Sequence, residues 1–392
     1  MRSVVIVGAS LAGVSAAKSL RKHGYTGSIT VVGDEPHMPY QRPPLSKQFL
    51  AGTWDRPRVD LRVPDTLGIE WMLGARAASL DANRREVVLE DGRQLPFDGL
   101  VIATGARARK PRWYAERPGA FTLRTLDDAI AIRDHVRAGG RKFAIVGAGF
   151  IGSEVAATLS ALGCDVTLID VDPLPMLRVL GDSLARVCLR AHDAHGVRCE
   201  FGVAVDALTG GSSVQGVRLA DGRVIDADGV VVGIGVAPNV EWLHDSGIAL
   251  DDGVACDATG AVQGVDRVVA AGDVARLDHP YYGSHRVEHW NNAITQADAS
   301  AQTLLGRPAP HAAIPFFWSD QYDSKLQLVG LPSPTDTIRV VEGALDAPRF
   351  VALYERDGVA TAAFFLNSMH RVAAYTASIE TAAREAAHAA AP

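Results

Sequence analysis

The sequence predicts an α/β protein with two Rossmann-like dinucleotide-binding domains and a C-terminal α+β domain. Two observations carry this prediction. A unit of strand, glycine-rich turn, helix, strand and acidic residue occurs twice, first from Val4 and again from Phe143. Beyond about residue 310 the pattern changes to alternating strands, such as 338–341 and 350–354, before a helical end. The length of 392 residues also exceeds what one core usually organises.

The first unit runs from the strand Val4–Val7 to a pair of acidic residues. The strand leads into Gly8-Ala9-Ser10-Leu11-Ala12-Gly13, then a helix to about His23, the strand Ser28–Val32, and Asp34 and Glu35. In such a turn the first glycine permits the tight bend, the middle one lets the backbone approach a pyrophosphate, and the third lets helix and strand pack closely. Ser10 replaces the middle glycine here, and its small hydroxyl is expected to reach a phosphate.

The second unit keeps all three glycines. The strand Phe143–Val146 leads into Gly147-Ala148-Gly149-Phe150-Ile151-Gly152, then a helix to about Leu162 and the strand Asp165–Ile169, ending at Asp170. A carboxylate in that place hydrogen-bonds a free ribose 2′-hydroxyl and repels a 2′-phosphate, and Asp172 adds to the repulsion. We therefore predict NAD, with NADH preferred over NADPH.

Further apolar strands end in small residues, at the carboxyl edge of the predicted sheets, where ligands bind in open α/β proteins. They finish at Thr104-Gly105, at Gly235 and at Gly272-Asp273. Two complete units imply two dinucleotides, and FAD with NAD is the economical pair because a flavin accepts hydride from a nicotinamide.

Composition excludes several other classes. The net charge of −6 argues against a nucleic-acid partner, and no long apolar stretch indicates a membrane span, so a cytoplasmic location is expected. Cys164, Cys188, Cys199 and Cys256 form no closely spaced pair, and no cysteine precedes them that could act beside a flavin in the first domain. His285 and His289 are spaced four apart, but Gly283-Ser284 before them favours a loop over a metal-binding helix, and no metal site is predicted.

Several longer stretches are specific to a known family. They are Gly33–Pro36, Pro39–Lys47, Leu123–Ala129, Val287–Ala293 and Phe317–Gln321. The chain resembles the flavoprotein reductases of the glutathione-reductase superfamily. More closely it resembles the NADH-dependent ferredoxin reductases that serve cytochrome P450s and ring-hydroxylating dioxygenases.

The resemblance implies a set of binding and catalytic residues. Lys47 is expected beside the flavin N5, paired with Glu154, as the catalytic pair. The predicted flavin contacts are Gly8, Ser10, Ala12, Gly13, Asp34, Glu35, Arg42, Pro43, Lys47, Ala77, Thr104, Gly105, Arg124, Glu154, Gly272, Asp273, Trp290 and Trp318. The predicted nicotinamide contacts are Gly147, Gly149, Phe150, Ile151, Gly152, Asp170 and Gly235, with Phe150 as a gate.

The expected domain layout is discontinuous. Residues 1–112 and 241–310 form the FAD domain, 113–240 the inserted NAD domain, and 311–392 the interface domain, whose alanine-rich end is expected to fray or lie on the surface. Both a monomer and a homodimer remain open.

The expected electron acceptor is a small [2Fe–2S] ferredoxin that feeds a P450 or a dioxygenase. Its docking patch is expected around Arg107, Arg109, Lys110 and Arg112, because such ferredoxins are usually acidic. The alternatives are an NADH oxidase, a rubredoxin reductase, or a flavin redox sensor or interaction protein similar to apoptosis-inducing factor.

Overall fold

A computed structural model of the chain describes residues 1–390. Five parallel strands form a first sheet in the order β19-β7-β1-β2-β3. Its strands are β1 (Ser3–Val7), β2 (Ser28–Gly33), β3 (Ile69–Leu73), β7 (Gly99–Ile102) and β19 (Val268–Ala270). The near-continuous apolar runs of β1 and β7 are explained by burial on both faces of this sheet.

A second parallel sheet repeats the architecture in the order β12-β11-β10-β16-β9. Its strands are β9 (Ala120–Thr122), β10 (Lys142–Val146), β11 (Asp165–Asp170), β12 (Arg198–Phe201) and β16 (Gly229–Val232). The central strand β10 pairs with β11 and β16, as β1 does with β2 and β7. The two repeated units of the sequence therefore fold as two similar sheets.

The C-terminal sheet is antiparallel, in the order β22-β23-β26-β25-β24. Its strands are β22 (Phe316–Gln321), β23 (Ser324–Gly330), β24 (Thr337–Gly343), β25 (Phe350–Arg356) and β26 (Val359–Leu366). A core cluster that includes Leu180 and Cys188 joins one face of this sheet to the helices after β11, whereas Ile379 packs on the other face.

Three small sheets and one strand pair complete the strand inventory of the described residues. They are β4 (Ala77–Asp81), β5 (Glu86–Leu89) and β6 (Gln94–Pro96); β13 (Val205–Thr209), β14 (Gly216–Leu219) and β15 (Val224–Asp226); β18 (Val254–Cys256), β20 (Ala275–His279) and β21 (Gly283–Arg286); and β8 (Ala106–Ala108) with β17 (Val236–Pro238). The antiparallel β8–β17 pair lies close to both predicted domain boundaries. The boundaries themselves stay a prediction.

The helices cover the sheets. They are α1 (Leu11–Lys22), α2 (Arg56–Val59), α3 (Leu126–Arg137), α4 (Phe150–Ala161), α5 (Leu177–Leu180), α6 (Asp182–Ala194), α7 (Trp290–Leu304) and α8 (Val372–Ala390), with 3-10 helices at Pro43–Ser46, Asp65–Leu67, Glu241–Leu243 and Met369–Arg371. Helix α8 confirms the predicted helical end, and residues 391–392 lie outside the described part of the chain. Within residues 1–390, no helix combines the length and apolar character needed to cross a lipid bilayer.

Candidate functional site

A cavity of about 310 Å³ opens at the carboxyl edge of the first sheet. This is the edge at which ligands bind in open α/β sheets. Most of the predicted flavin contacts line it: Gly8, Ser10, Ala12, Asp34, Glu35, Arg42, Pro43, Lys47, Thr104, Gly105, Arg124, Glu154, Gly272, Asp273, Trp290 and Trp318. The structure therefore brings together side chains that are separated by up to about 300 positions in the sequence.

The first glycine turn has the close approaches that require glycine. Gly8 has φ +123°, and a Cβ there would lie 2.0 Å from the carbonyl oxygen of Ala103. Ser10 precedes α1, its hydroxyl makes no capping hydrogen bond, and it faces the cavity. The turn and the N-terminus of α1 thus present backbone N–H groups and a hydroxyl to any anion in the cavity.

Two ion pairs stand in the cavity wall. Arg42 donates to Glu35 at 2.6 Å and to the backbone oxygen of Arg124 at 2.7 Å, and Tyr40 also donates to Glu35. Arg124 donates to the carboxylate of Asp273 at 2.6 Å. Each arginine is therefore held by a carboxylate, and the carboxylate of Glu35 is engaged by both Arg42 and Tyr40.

The predicted pair of Lys47 and Glu154 is present. Lys47 Nζ lies 2.7 Å from Glu154 Oε1, and the two side chains are 10% and 2% exposed. Lys47 follows the 3-10 helix Pro43–Ser46, whereas Glu154 lies in the second turn of α4. Because α4 begins at the second glycine turn, this buried ion pair joins the two nucleotide-binding units.

Aromatic side chains form another part of the wall. Trp290 and Trp318 pack edge to face with centroids 6.1 Å apart, and the indole Nε1 of Trp290 is buried without a partner. Phe317 lies against His289 at 5.3 Å and against Phe150 at 4.1 Å. Burial lowers the pKa of His289 to about 4, so this imidazole is neutral at pH 7.

The second glycine turn repeats the first. Gly147 has φ +104°, and a Cβ there would lie 2.4 Å from the carbonyl oxygen of Gly233, while a Cβ on Gly152 would lie 1.9 Å from that of Gly147. A Cβ on Gly149, by contrast, would meet nothing within 4 Å. Gly149 therefore faces open space, as a close approach of pyrophosphate to the backbone requires.

Exposed apolar side chains surround this second turn. Ile151, Val171 and Ile234 are 44%, 57% and 40% exposed, and they follow the carboxyl ends of the neighbouring strands β10, β11 and β16. Gly235, the residue after Ile234, has φ +93° and open space around it. Ile151 also lines the cavity of the first turn, so the start of α4 reaches that space.

Asp170 is engaged by the turn itself. Its Oδ2 accepts from the backbone N–H of Ala148 at 2.5 Å and its Oδ1 from that of Asp172 at 2.9 Å. Arg178 is paired with Asp172 at 2.7 Å. The carboxylate therefore fixes the glycine turn.

Two predicted flavin contacts do not line the cavity. Gly13 is buried, and a Cβ there would lie 1.9 Å from the carbonyl oxygen of Gly8, so it serves the packing of α1 on the sheet. Ala77 begins β4, and its side chain packs against a core cluster that includes Phe97. His285 lies on β21 and His289 precedes α7, so these two histidines do not share a helix.

The cysteines are unsuited to thiol chemistry. Burial raises the pKa of Cys188 and Cys256 to about 12, and that of Cys199 reaches about 12 through burial and nearby carboxylates. Burial also raises the pKa of Cys164. The raised pKa values disfavour the thiolate that a redox cysteine needs. In addition, none of the four cysteines lines the cavity.

The residues present fit two dinucleotides. The glycine cradles, the uncapped Ser10, the orphaned Trp290 indole and the cation Lys47 provide what a flavin dinucleotide needs, and the second turn offers a phosphate-sized opening at Gly149. Fold and site together define a flavoprotein oxidoreductase that uses a pyridine nucleotide.

The chain belongs to the pyridine nucleotide-disulphide oxidoreductase family, whose model matches residues 2–297, and a reductase C-terminal model matches residues 316–392. This family implies FAD and NAD(P) as cofactors. The predicted fold class and family resemblance are confirmed.

Individual relatives agree over most of the chain. Rhodocoxin reductase of Rhodococcus erythropolis is 39% identical over 89% of this chain and 82% of its own length. Putidaredoxin reductase of Pseudomonas putida is 36% identical over 90% and 85%. Among solved structures, the covalent putidaredoxin reductase–putidaredoxin complex has a TM-score of 0.92 at 34% identity and covers 98% of this chain and 93% of the matched chain.

Sequence reasoning missed two serines that contact Glu154. Ser46 Oγ lies 2.5 Å from Glu154 Oε2, and Ser319 Oγ lies 2.7 Å from Glu154 Oε1. Both residues stand in stretches that carry the family resemblance, next to Lys47 and Trp318. Their positions next to Lys47 and Trp318 indicate that they lie near the site. Their contact with Glu154, however, depends on the tertiary fold.

Proposed function

We propose that this protein is an NADH-dependent, FAD-containing ferredoxin reductase that passes electrons singly to a [2Fe–2S] ferredoxin of a P450 or ring-hydroxylating dioxygenase system. One observation carries the proposal. Helix α4 starts at the second glycine turn and contributes Ile151 and Glu154 to the wall of the first cavity. A nicotinamide dinucleotide on the second turn is thereby directed towards a flavin in the first.

This arrangement supports the proposed domain division. Residues 1–112 and 241–310 would hold FAD through the first glycine turn, Arg42, Arg124 and Asp273. Residues 113–240 would hold NADH through Gly147–Gly152 and Asp170, whose negative charge disfavours a 2′-phosphate. Residues 311–392 supply Phe317 and Trp318 to the cavity wall. The cytoplasmic location stays a prediction.

The chain's own residues prepare the cavity for electron transfer. When bound, FAD supplies the link between the two-electron chemistry of a nicotinamide and the single electrons that an iron–sulfur carrier accepts. Lys47 places an ammonium on the cavity wall, where it favours negative charge, and Glu154 fixes that ammonium. Phe150, at the start of α4, packs on Phe317 of the cavity wall.

The acceptor is inferred from the relatives and from the thiols. Relatives include the ferredoxin–NAD(+) reductase components of a p-cumate 2,3-dioxygenase system and a biphenyl dioxygenase system. The buried, high-pKa cysteines offer no thiol route for electrons to leave the cavity. A protein carrier is therefore favoured over a disulfide substrate.

Steady-state NADH oxidation with different acceptors tests the proposal. We expect slow turnover in air alone and a large stimulation by a [2Fe–2S] ferredoxin with cytochrome c as the final acceptor. Rapid oxidation in air without any carrier would instead establish an NADH oxidase, and stimulation by rubredoxin alone would establish a rubredoxin reductase. A stable NADH complex that no carrier reoxidises would indicate a redox sensor.

A further inference from the structure

The carboxylate of Glu154 is contacted by side chains from two separate parts of the fold. Lys47 and Ser46 come from the segment after β2, and Ser319 comes from β22 in the C-terminal sheet. Glu154 itself lies on α4 beside the second parallel sheet. Ser46 and Glu154 are each 2% exposed and Ser319 is 0% exposed, so water does not compete for these bonds.

The direction of the Ser319 hydrogen bond is fixed by a fourth residue. Gln321 Nε2 lies 3.1 Å from Ser319 Oγ, and an amide nitrogen only donates. The Ser319 oxygen is therefore an acceptor from Gln321, and its own proton is directed to Glu154 Oε1. Gln321 is 2% exposed, so the hydrogen bonds from Gln321 to Ser319 and from Ser319 to Glu154 are both buried.

Each oxygen of Glu154 is thus held separately. Oε2 accepts from Ser46 and Oε1 accepts from Ser319, whereas Lys47 Nζ forms an ion pair with Oε1 at 2.7 Å. Without Ser319, Oε2 would keep its hydrogen bond from Ser46, and Oε1 would keep only the ion pair with Lys47. The neighbour of Ser319 on β22, Trp318, lines the cavity, so the same strand contacts both the cavity and the ion pair.

We propose that Ser319 is a positioning residue for the Lys47–Glu154 pair, through which the C-terminal sheet sets the place of the Lys47 ammonium in the cavity wall. This inference deepens the proposed function and rests on it for its kinetic consequence. Its structural consequence, the restraint of Lys47, does not require a bound flavin.

Chemical labelling of Lys47 tests the restraint directly. The chain has six lysines, and an amine-reactive acetylating reagent with mass-spectrometric readout measures Lys47 relative to the exposed Lys142 in one sample. We expect Ser319→Ala to increase the relative labelling of Lys47 about fivefold, the effect of losing one hydrogen bond of ordinary strength. In stopped flow, the rate of flavin reduction by NADH should fall by a similar factor while the KM for NADH stays unchanged.

Matched variants separate positioning from general damage. Ser368 is also a buried serine of the C-terminal part, but its hydroxyl donates to the backbone oxygen of Leu366, so Ser368→Ala should leave Lys47 labelling unchanged. Gln321→Met removes the donor that orients Ser319 and should produce a smaller increase. Gln321→Met therefore provides the same test if Ser319→Ala does not fold.

A double-mutant cycle gives the decisive comparison. If Ser319 acts through Glu154, Ser319→Ala adds no further labelling of Lys47 in a Glu154→Gln background. Equal increases in both backgrounds, or no increase in Ser319→Ala, would overturn the inference. Failure of NADH to reduce the flavin would refute the proposed function, yet the labelling result on Ser319 would still stand.

Discussion

Lys47 Nζ and Glu154 Oε1 lie 2.7 Å apart, although the two residues belong to different nucleotide-binding units of the chain. An ion pair buried this deeply is costly to form, and removal of one partner leaves an uncompensated charge. Its place at the wall of the cavity is explained if the ammonium serves the chemistry there. The pair is therefore the first target for mutation.

Replacing Lys47 by Met is expected to slow flavin reduction by NADH about 10- to 100-fold, because an aligned positive charge is lost from the cavity wall. The rate constant is measured by anaerobic stopped flow at the flavin absorbance. Lys142→Met, at the start of β10 on the opposite edge of the second sheet, serves as the control. An unchanged rate of flavin reduction in Lys47→Met would exclude a catalytic role for Lys47.

The two glycines Gly147 and Gly149 are expected to respond differently to alanine. Gly147→Ala places a Cβ 2.4 Å from the carbonyl oxygen of Gly233 in a left-handed conformation, and should reduce the free energy of unfolding by on the order of 2–3 kcal/mol. Gly149→Ala meets no protein atom within 4 Å, so the thermal midpoint should stay unchanged while the KM for NADH rises. A wild-type KM in a folded Gly149→Ala variant would contradict the assignment of the second turn to NADH.

Asp170→Asn is expected to reduce the preference for NADH over NADPH. The variant keeps an acceptor oxygen while it removes a charge, so the ratio of the two kcat/KM values should fall about five- to tenfold. Asp172→Asn should change the ratio less, because Arg178 already pairs with that carboxylate. A larger change in this ratio from Asp172→Asn than from Asp170→Asn would assign the discrimination between the two nucleotides to Asp172 instead.

The predicted ferredoxin patch is narrowed by the structure. Arg107 pairs with Glu241 and Lys110 with Glu116, each at 2.5 Å, whereas Arg112 is exposed and makes no ion pair among the described residues. We expect Arg112→Glu to raise the KM for the ferredoxin about threefold or more, since a rim charge mainly affects encounter, with flavin reduction by NADH unchanged. Equal effects on both steps would exclude a docking role.

The fold is expected to lose stability in acid. Burial lowers the pKa of His279 and His311 to about 4, so unfolding takes up protons between that value and the ordinary pKa near 6.5. Stability from these groups is complete above about pH 6.5 and falls as the pH drops towards 4, by roughly 1–2 kcal/mol per histidine at pH 5. Thermal midpoints from pH 7.5 to 5 should therefore fall less in His311→Gln than in wild type. The exposed His370→Gln is the control.

Local patterns in the sequence predicted the parts of this protein that depend on local spacing. Both glycine turns, with their flanking strands and helices, lie where the two repeats placed them, because close approaches such as Gly8 to Ala103 admit only glycine. Residues from the family stretches, such as Arg42 and Trp318, also reached the cavity.

Contacts between distant segments could not be derived in this way. Nothing within either stretch indicates that Ser46 and Ser319 share one carboxylate, because that contact depends on how the C-terminal sheet packs on α4. Glu35 and Ala77 show the same limit. The first is engaged by Arg42 and Tyr40, and the side chain of the second packs into a core cluster.

The most direct test of the central claim is anaerobic stopped flow of the flavin-loaded protein, mixed first with NADH and then with an oxidised [2Fe–2S] ferredoxin. The account predicts rapid bleaching of the flavin by NADH, slower bleaching by NADPH, and quick return of the flavin absorbance as the ferredoxin is reduced. Bleaching that the ferredoxin does not reverse would contradict the reductase function. No bleaching by either nucleotide would contradict the assignment of the second glycine turn.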